Sequence, residues 1–225
     1  MKENLFTKDQ ESQQVMIIGV GGFGSKVTAL MQEHGFTETV ACDTDQQDLE
    51  STKVTRRLLL DSKQPSLFAR IVDKSLDYLC ATESDNNCNQ DYLEFAVEPF
   101  SQLMEDDANT VIIVAGLGGS CGTNAAVQIA REAKAVGKHT AAVVTLPFPF
   151  EGTMRMSTAF NGLSELAPQV GKLFVLNTHN LIDGNTTAAK AIAQAEKIVC
   201  GEFNSLCDWN TMKNGDADSR KVEAN

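Results

Sequence analysis

The sequence has few of the residues that build the commonest metal sites. It contains only three histidines, and its six cysteines include no CxxC pair and no histidine at ligand spacing. A zinc site is therefore improbable, and we predict no metal site made by the protein alone. Most of these cysteines are expected to be small buried residues in a reducing cytosol.

Positive charge and long apolar runs are also scarce. The formal net charge of -11 over 225 residues argues against binding to nucleic acid or to an anionic membrane, because both are negative. The longest apolar runs, such as 111–115, are far shorter than the roughly 20 residues of a membrane helix. No N-terminal leader pattern is present. We therefore expect a cytoplasmic protein with no membrane insertion.

Short apolar runs alternate with segments of helical periodicity along most of the chain. This pattern predicts an α/β fold, a Rossmann-like parallel sheet with helices on both faces that ends in a long helix. We predict a flexible arm at 1–13, one domain at 14–208 and a disordered polar tail at 209–225. The predicted strands are 15–19, 38–42, 54–60, 110–115, 140–146 and 172–176, and the predicted helices are 25–34, 66–80, 91–104, 123–136, 154–166 and 187–207.

A first glycine loop, GVGGFG at 19–24, follows the first strand and opens a helix. It satisfies the GxGxxG pattern, and Asp43 lies about 20 residues further on, as in dinucleotide-binding proteins. Glycine lets backbone amides approach a phosphate, which the helix N-terminus attracts. Alone, the loop is a weak signal for NAD or a similar cofactor, and the alternative is a tight strand-to-helix turn that binds nothing.

A second glycine loop, AGLGGSCGTN at 115–124, also follows a strand and opens a helix. A dinucleotide fold needs one such turn, whereas two at neighbouring parallel strands are able to enclose one polyphosphate. The sequence has no GxxxxGK[ST], which excludes a P-loop.

Three motifs in order and spacing resemble the FtsZ/tubulin family. The second loop is similar to AGxGGGTGTG of FtsZ, the first loop is similar to GVGGGGGN, and the DTD at 43–45 resembles the following NTD. Further along, VVTLPFPFEGTMRM, GLSEL and KLFVLNTHNLI match the family almost without a gap. The resemblance covers about residues 14 to 207 and implies the Rossmann-like GTPase domain of that family.

The resemblance implies that the two loops hold the phosphates of GTP or GDP, with Mg²⁺ as a possible companion. By matched position, glycine amides and one hydroxyl would contribute, from Gly21, Gly22, Gly118, Gly119, Gly122 and Thr123. Glu151 and Arg155, spaced as in FEGxxR, would meet ribose and phosphate, and guanidinium suits phosphate. The alternative for this pair is an exposed i,i+4 ion pair at a helix start.

The long helix carries the residues that the resemblance places at the base. Glu196 matches an acid that reads the guanine edge, and Ile192 matches an aromatic residue that stacks on the base in relatives. Isoleucine packs there without the π contact. A solvent-facing helix surface is an equally good reading of Glu196.

Several residues depart from the family pattern. Lys26 replaces an asparagine that contacts guanine, although a lysine beside phosphates favours binding. Side chains within the glycine loops leave less space for close backbone approach at Ser25, Ser120, Cys121 and Asn124. Thr178 replaces an asparagine. The segment 61–70 lacks the glycine-rich loop that senses the terminal phosphate, so switching between GTP and GDP states is in question.

FtsZ continues after its long helix into an NxDxxD loop that activates water, and then into a second domain. We find neither here, and the NGDAD at 214–218 has the wrong spacing, so we assign no catalytic residue. We expect an FtsZ-like GTP-binding protein of a division or cytoskeletal filament, which hydrolyses weakly or with a partner's acidic loop. Its partner would be full-length FtsZ or a second copy. The alternatives are a scaffold that binds no nucleotide and, less favoured, an NAD enzyme.

Overall fold

A seven-stranded parallel sheet forms the centre of the protein. The computed structural model describes residues 15–63, 94–95, 98–182, 186–207 and 220–223. The strands are β1 (Val15–Val20), β2 (Thr39–Asp43), β3 (Arg56–Leu59), β4 (Ser62–Lys63), β5 (Glu94–Phe95), β6 (Thr110–Gly116), β7 (His139–Thr145), β8 (Lys172–Leu176) and β9 (Arg220–Glu223). The sheet has the order β3-β2-β1-β6-β7-β8-β9, and a separate antiparallel pair joins β4 to β5.

The strand order reverses direction between β1 and β6. From β1 the chain adds β2 and then β3 on one side, and it later adds β6, β7, β8 and β9 on the other. Val20 at the end of β1 is level with Ala115 of β6, so the loops that follow these strands start side by side. In open α/β sheets, such a reversal leaves a crevice at the carboxyl ends of the strands, where ligands bind.

Helices cover both faces of the sheet, as the apolar strands require. Side chains alternate along β1, so Met16 and Ile18 join one core cluster while Ile17 joins the other. The helices are α1 (Gly21–Glu33), α2 (Gln46–Ser51), α3 (Glu98–Met104), α4 (Ser120–Ala135), α5 (Thr153–Leu166) and α6 (Ala188–Cys207). The first cluster includes residues of α3, α4 and α5, and the second includes residues of α1 and α6.

The α/β fold predicted from sequence is confirmed, and two predictions are wrong in part. Glu94–Phe95, predicted as helix, is instead a strand because Ser62–Lys63 pairs with it. Arg220–Glu223, within the predicted disordered tail, pairs with the outer edge of β8, whose N–H and C=O groups would otherwise lack strand partners. The predicted arm at 1–13, the helix at 66–80 and most of the segment 61–70 lie outside the described residues.

Within the described ranges, no helix is both long enough and apolar enough to cross a membrane.

Close packing of α1 against the sheet depends on Gly24. A Cβ atom added there would lie 2.2 Å from the carbonyl oxygen of Val114 in β6, far inside van der Waals contact. One turn later, Thr28 donates its hydroxyl to the Gly24 carbonyl at 2.9 Å. The last glycine of the first loop therefore serves the packing of helix on strand.

We expect Gly24→Ala to lower the free energy of unfolding by about 1–3 kcal/mol, the usual cost of overpacking a core. Urea unfolding followed by circular dichroism measures this loss. The matched control is Gly22→Ala in the same turn, where the nearest atom to an added Cβ is an Asp48 oxygen at 3.9 Å. Equal unfolding midpoints for both variants would contradict the close approach of α1 to β6 at Gly24.

Candidate nucleotide site

The two glycine loops meet at the point where the strand order reverses. The first loop leaves β1 and enters α1 at Gly21, and the second leaves β6 and enters α4 at Ser120. A Cβ atom added to Gly21, which has a φ of 72°, would lie 3.5 Å from both the Cα and the nitrogen of Gly122. The structure therefore brings the two predicted loops into contact.

The meeting of these loops places two helix N-termini side by side. Neither α1 nor α4 has an acidic residue in its first turn. Each N-terminus presents backbone N–H groups that lack a partner within the helix and carries a partial positive charge. Two of them together form a site suited to an anion such as a polyphosphate.

The second loop is held in shape by Gly118 and Thr123. The amide of Gly118 donates to the Thr123 hydroxyl oxygen at 2.9 Å, and Thr123 is only 2% exposed. Gly118 has a φ of 99°, and an added Cβ atom would lie 2.5 Å from Cγ of Pro147. The hydroxyl that the sequence assigned to phosphate thus accepts a hydrogen bond from within its own loop.

Other predicted residues lie on the open side of the loops. A Cβ atom added to Gly119 would have no atom within 4 Å among the described residues. Gly22, Lys26 and Ser120 are exposed. Ser25 is only 1% exposed, so its side chain is packed inside the protein. The open space beside Gly119 gives the site room for a ligand.

The end of β2 approaches the second loop through Cys121. Asp43 accepts hydrogen bonds from the backbone amides of Thr44 at 2.7 Å and Asp45 at 3.3 Å. Burial raises the pKa of the Cys121 thiol to about 11, and the Asp43 carboxylate adds to the rise. Burial also raises the pKa of Cys42 above its usual range. Both thiols are neutral at physiological pH, so neither adds negative charge beside an anion.

Glu151 and Arg155 lie in the loop and helix that follow β7. One Glu151 oxygen accepts from the Phe148 amide at 2.9 Å, and the other pairs with Arg155, whose side chain is 58% exposed. The backbone oxygen of Arg155 would lie 2.8 Å from a Cβ atom added to Gly118. The alternative i,i+4 ion pair is therefore present, and it lies beside the second glycine loop.

Thr178 fixes the same loop from the end of β8. It is fully buried, and its hydroxyl donates to the carbonyl oxygen of Pro147 at 2.8 Å. Pro147 in turn is the residue whose ring a Cβ atom added to Gly118 would meet. Threonine therefore anchors this turn, at the position where the sequence comparison expected asparagine.

Glu196 and Ile192 lie on α6, on the face of the sheet that also carries α1. Ile192 is partly buried against the second core cluster, as is Phe23 of the first loop. Glu196 is half-buried, and its carboxylate adds to the burial that raises the pKa of Cys200. The placement of Glu196 at a guanine edge stays a prediction.

Three residues near the loops escaped the sequence analysis. The Cβ of Phe23 would lie 3.2 Å from a Cβ atom added to Gly116, so Phe23 packs on the start of the second loop. Asp48 faces Gly22, and Gly162 of α5 contacts Thr123. An aromatic residue inside GxGxxG was a usable signal for Phe23, and Gly162 is the glycine of the GLSEL motif, whereas nothing in the sequence pointed to Asp48.

Magnesium has no ready-made ligand set in the described part of the chain. No three His, Cys, Asp or Glu side chains there are grouped closely enough to hold a metal ion. Protein-bound Mg²⁺ commonly takes most of its ligands from water and substrate phosphates. The residues present fit a polyphosphate better than they fit a free metal ion.

The geometry agrees with what the chain resembles. A sequence profile described as the Tubulin/FtsZ family, GTPase domain, matches residues 14–186. The chain is 35% identical over 206 residues to cell division protein FtsZ of Rickettsia felis, covering 88% of this chain and 42% of that protein. It is 30% identical over 214 residues to FtsZ 1 of Methanocaldococcus jannaschii, covering 93% of this chain and 55% of that protein.

Solved structures give the same family. A structure described as an empty FtsZ dimer from M. jannaschii superposes with a TM-score of 0.67 at 26% identity, covering 88% of this chain and 55% of that one. CetZ from Methanosaeta thermophila has a TM-score of 0.63 at 18% identity, covering 92% and 56%, and shows the fold alone. The chain spans about half the length of these relatives. It belongs to the Tubulin/FtsZ family and carries that family's GTPase domain.

Proposed function

We propose that the chain binds GTP and GDP in the crevice between its two glycine loops. The observation that carries the proposal is the close approach of Gly21 to Gly122, which places the N-termini of α1 and α4 together where the strand order reverses. Both termini favour negative charge, and the space beside Gly119 is open. Membership of a family of GTPase domains makes a guanine nucleotide the natural polyphosphate.

The residues divide into those that meet the nucleotide and those that shape its loops. Backbone amides at Gly21, Gly22, Gly119 and Gly122, together with Ser120, would receive the phosphates. Lys26 and Arg155 would supply positive charge, and Glu151 would accept from ribose hydroxyls. Gly118 and Thr123 act on each other and hold the second loop in place. When bound, the nucleotide brings the phosphates that would also hold Mg²⁺.

Selectivity for guanine would come from Glu196. A carboxylate accepts two N–H donors from the guanine edge, whereas adenine offers no such pair. The half-buried position of Glu196 on the face that also carries α1 supports this role, because partial burial strengthens a charged hydrogen bond.

We expect the purified chain to bind GTP and GDP and to bind ATP and NADH at least about tenfold more weakly, a difference of about 1.4 kcal/mol. Isothermal titration calorimetry in magnesium buffer measures all four affinities. Binding of none of them would favour the scaffold without nucleotide, and preference for NADH would favour the dinucleotide enzyme.

Gly119→Ala tests whether the open side of the second loop faces the ligand. With a φ of -93° and no atom within 4 Å, alanine fits there without strain. Gly119 is the N-cap of α4, where alanine is less favourable than glycine, so we expect a small fall in melting temperature. Affinity for GTP should fall about tenfold because the methyl group meets the phosphate. Gly201→Ala, also in open space, is the matched control. Full GTP affinity in Gly119→Ala would place the ligand elsewhere.

Hydrolysis, in this proposal, is slow in the chain alone and depends on an acid supplied by a partner. Two of the carboxylates near the loops already hold the backbone: Asp43 accepts from Thr44 and Asp45, and Glu151 accepts from Phe148. Asp48, which faces Gly22, is the candidate base within the chain. A general base must be free to take a proton from water. The protein would therefore act in a cytoplasmic division or cytoskeletal filament, next to full-length FtsZ or another copy of itself.

Phosphate release from GTP measures this dependence. The partner in this test is full-length FtsZ whose own phosphate loop has been inactivated. We expect the mixture to release phosphate about a hundredfold faster than the chain alone, which is the contribution of one positioned general base. Asp48→Asn is the control for a base within the chain, because Asp48 faces Gly22. The dependence on a partner is refuted if the chain alone releases phosphate as fast as the mixture does. It is also refuted if Asp48→Asn abolishes phosphate release by the chain alone.

A further inference from the structure

Helix α5 contacts the second glycine loop through a buried glycine. Gly162 lies in the interior of α5, and a Cβ atom added to it would lie 2.0 Å from the Cγ2 methyl of Thr123. Glycine is less favourable than alanine inside a helix, so a buried helical glycine needs a packing reason. Here the Thr123 methyl group occupies the space that a side chain at residue 162 would need.

The Thr123 side chain has no freedom to move away from such a contact. Its hydroxyl oxygen accepts the Gly118 amide at 2.9 Å, and the residue is only 2% exposed. Threonine has few χ1 positions, and the methyl and hydroxyl turn together about the same bond. Any shift of the methyl group therefore displaces the oxygen that holds the Gly118 amide.

A second contact joins α5 to the same loop. The backbone oxygen of Arg155, in the first turns of α5, would lie 2.8 Å from a Cβ atom added to Gly118. Arg131 of α4 also pairs with Glu165 of α5 at 2.8 Å. Helix α5 thus lies against both ends of the Gly118–Thr123 hydrogen bond and is tied to the helix that this loop opens.

We propose that Gly162 is a positioning residue for the phosphate-binding loop, acting through Thr123. It leaves the space that lets the Thr123 hydroxyl hold the Gly118 amide, and this bond sets the path of residues 119–122 beneath the phosphates. The inference rests on the proposed function, because its effect on affinity requires a bound nucleotide. The effect on the Gly118–Thr123 hydrogen bond requires no nucleotide.

The test moves one methyl group from residue 123 to residue 162. Gly162→Ala adds the methyl that meets Cγ2, and Thr123→Ser removes Cγ2 while keeping the hydroxyl. The double variant combines both changes and so restores the available space. Gly201→Ala, a helical glycine with no atom within 4 Å of an added Cβ, is the control for a change of helix propensity alone.

Two readouts are measured on all variants of the full chain. The first is the exchange rate of the Gly118 amide hydrogen by NMR, and the second is the GTP dissociation constant by calorimetry. We expect Gly162→Ala to speed the exchange and weaken GTP binding at least about tenfold, because a displaced contact propagates into binding. The double variant should recover both values to within a factor of about three, and Gly201→Ala should change neither.

The two hypotheses fail in different ways. If the original chain binds no guanine nucleotide, the proposed function fails, and the Gly118 exchange rate still decides the positioning role. If Gly162→Ala leaves the exchange rate unchanged, or if Thr123→Ser does not rescue it, Gly162 does not act through Thr123 and the inference is overturned. Faster exchange with unchanged GTP affinity would also overturn it.

Discussion

The close approach of Gly21 to Gly122 is the constraint on which the rest of the site depends. Two helices start at neighbouring strands, and both residues suit glycine: Gly21 has a φ of 72°, and a Cβ atom added to Gly122 would lie 2.4 Å from the carbonyl oxygen of Gly116. The strand reversal between β1 and β6 brings the helices together, and the absence of acidic residues in their first turns leaves their positive ends uncompensated. The fold and the electrostatics thus favour an anion at one place.

Sequence reasoning succeeded where the signal is local and repeated. The apolar run predicted at 110–115 is β6 at Thr110–Gly116, and the helix predicted at 187–207 is Ala188–Cys207. Parallel strands buried on both faces read as continuous apolar runs, so their positions follow from composition. The glycine loops were equally visible, because close backbone approach leaves a distinctive residue pattern.

The two missed strands depend on partners distant in the sequence. Glu94–Phe95 becomes a strand only through Ser62–Lys63, and the polar Arg220–Glu223 becomes one only beside β8. The Thr123 hydroxyl, which the sequence assigned to phosphate, also accepts the amide of Gly118 in its own loop, a contact that the sequence did not predict. Periodicity records which residues are buried, but it does not record which backbone atom will lie opposite a given side chain.

The raised pKa of Cys121 lowers the reactivity of the second glycine loop towards oxidants. A thiol with a pKa of about 11 is almost wholly protonated in the cell. Because the thiolate is the species that attacks peroxides and disulfides, this cysteine reacts slowly despite its position in the loop. The loop therefore contains a sulfur atom whose oxidation is slowed by the burial and the neighbouring carboxylate that keep it protonated.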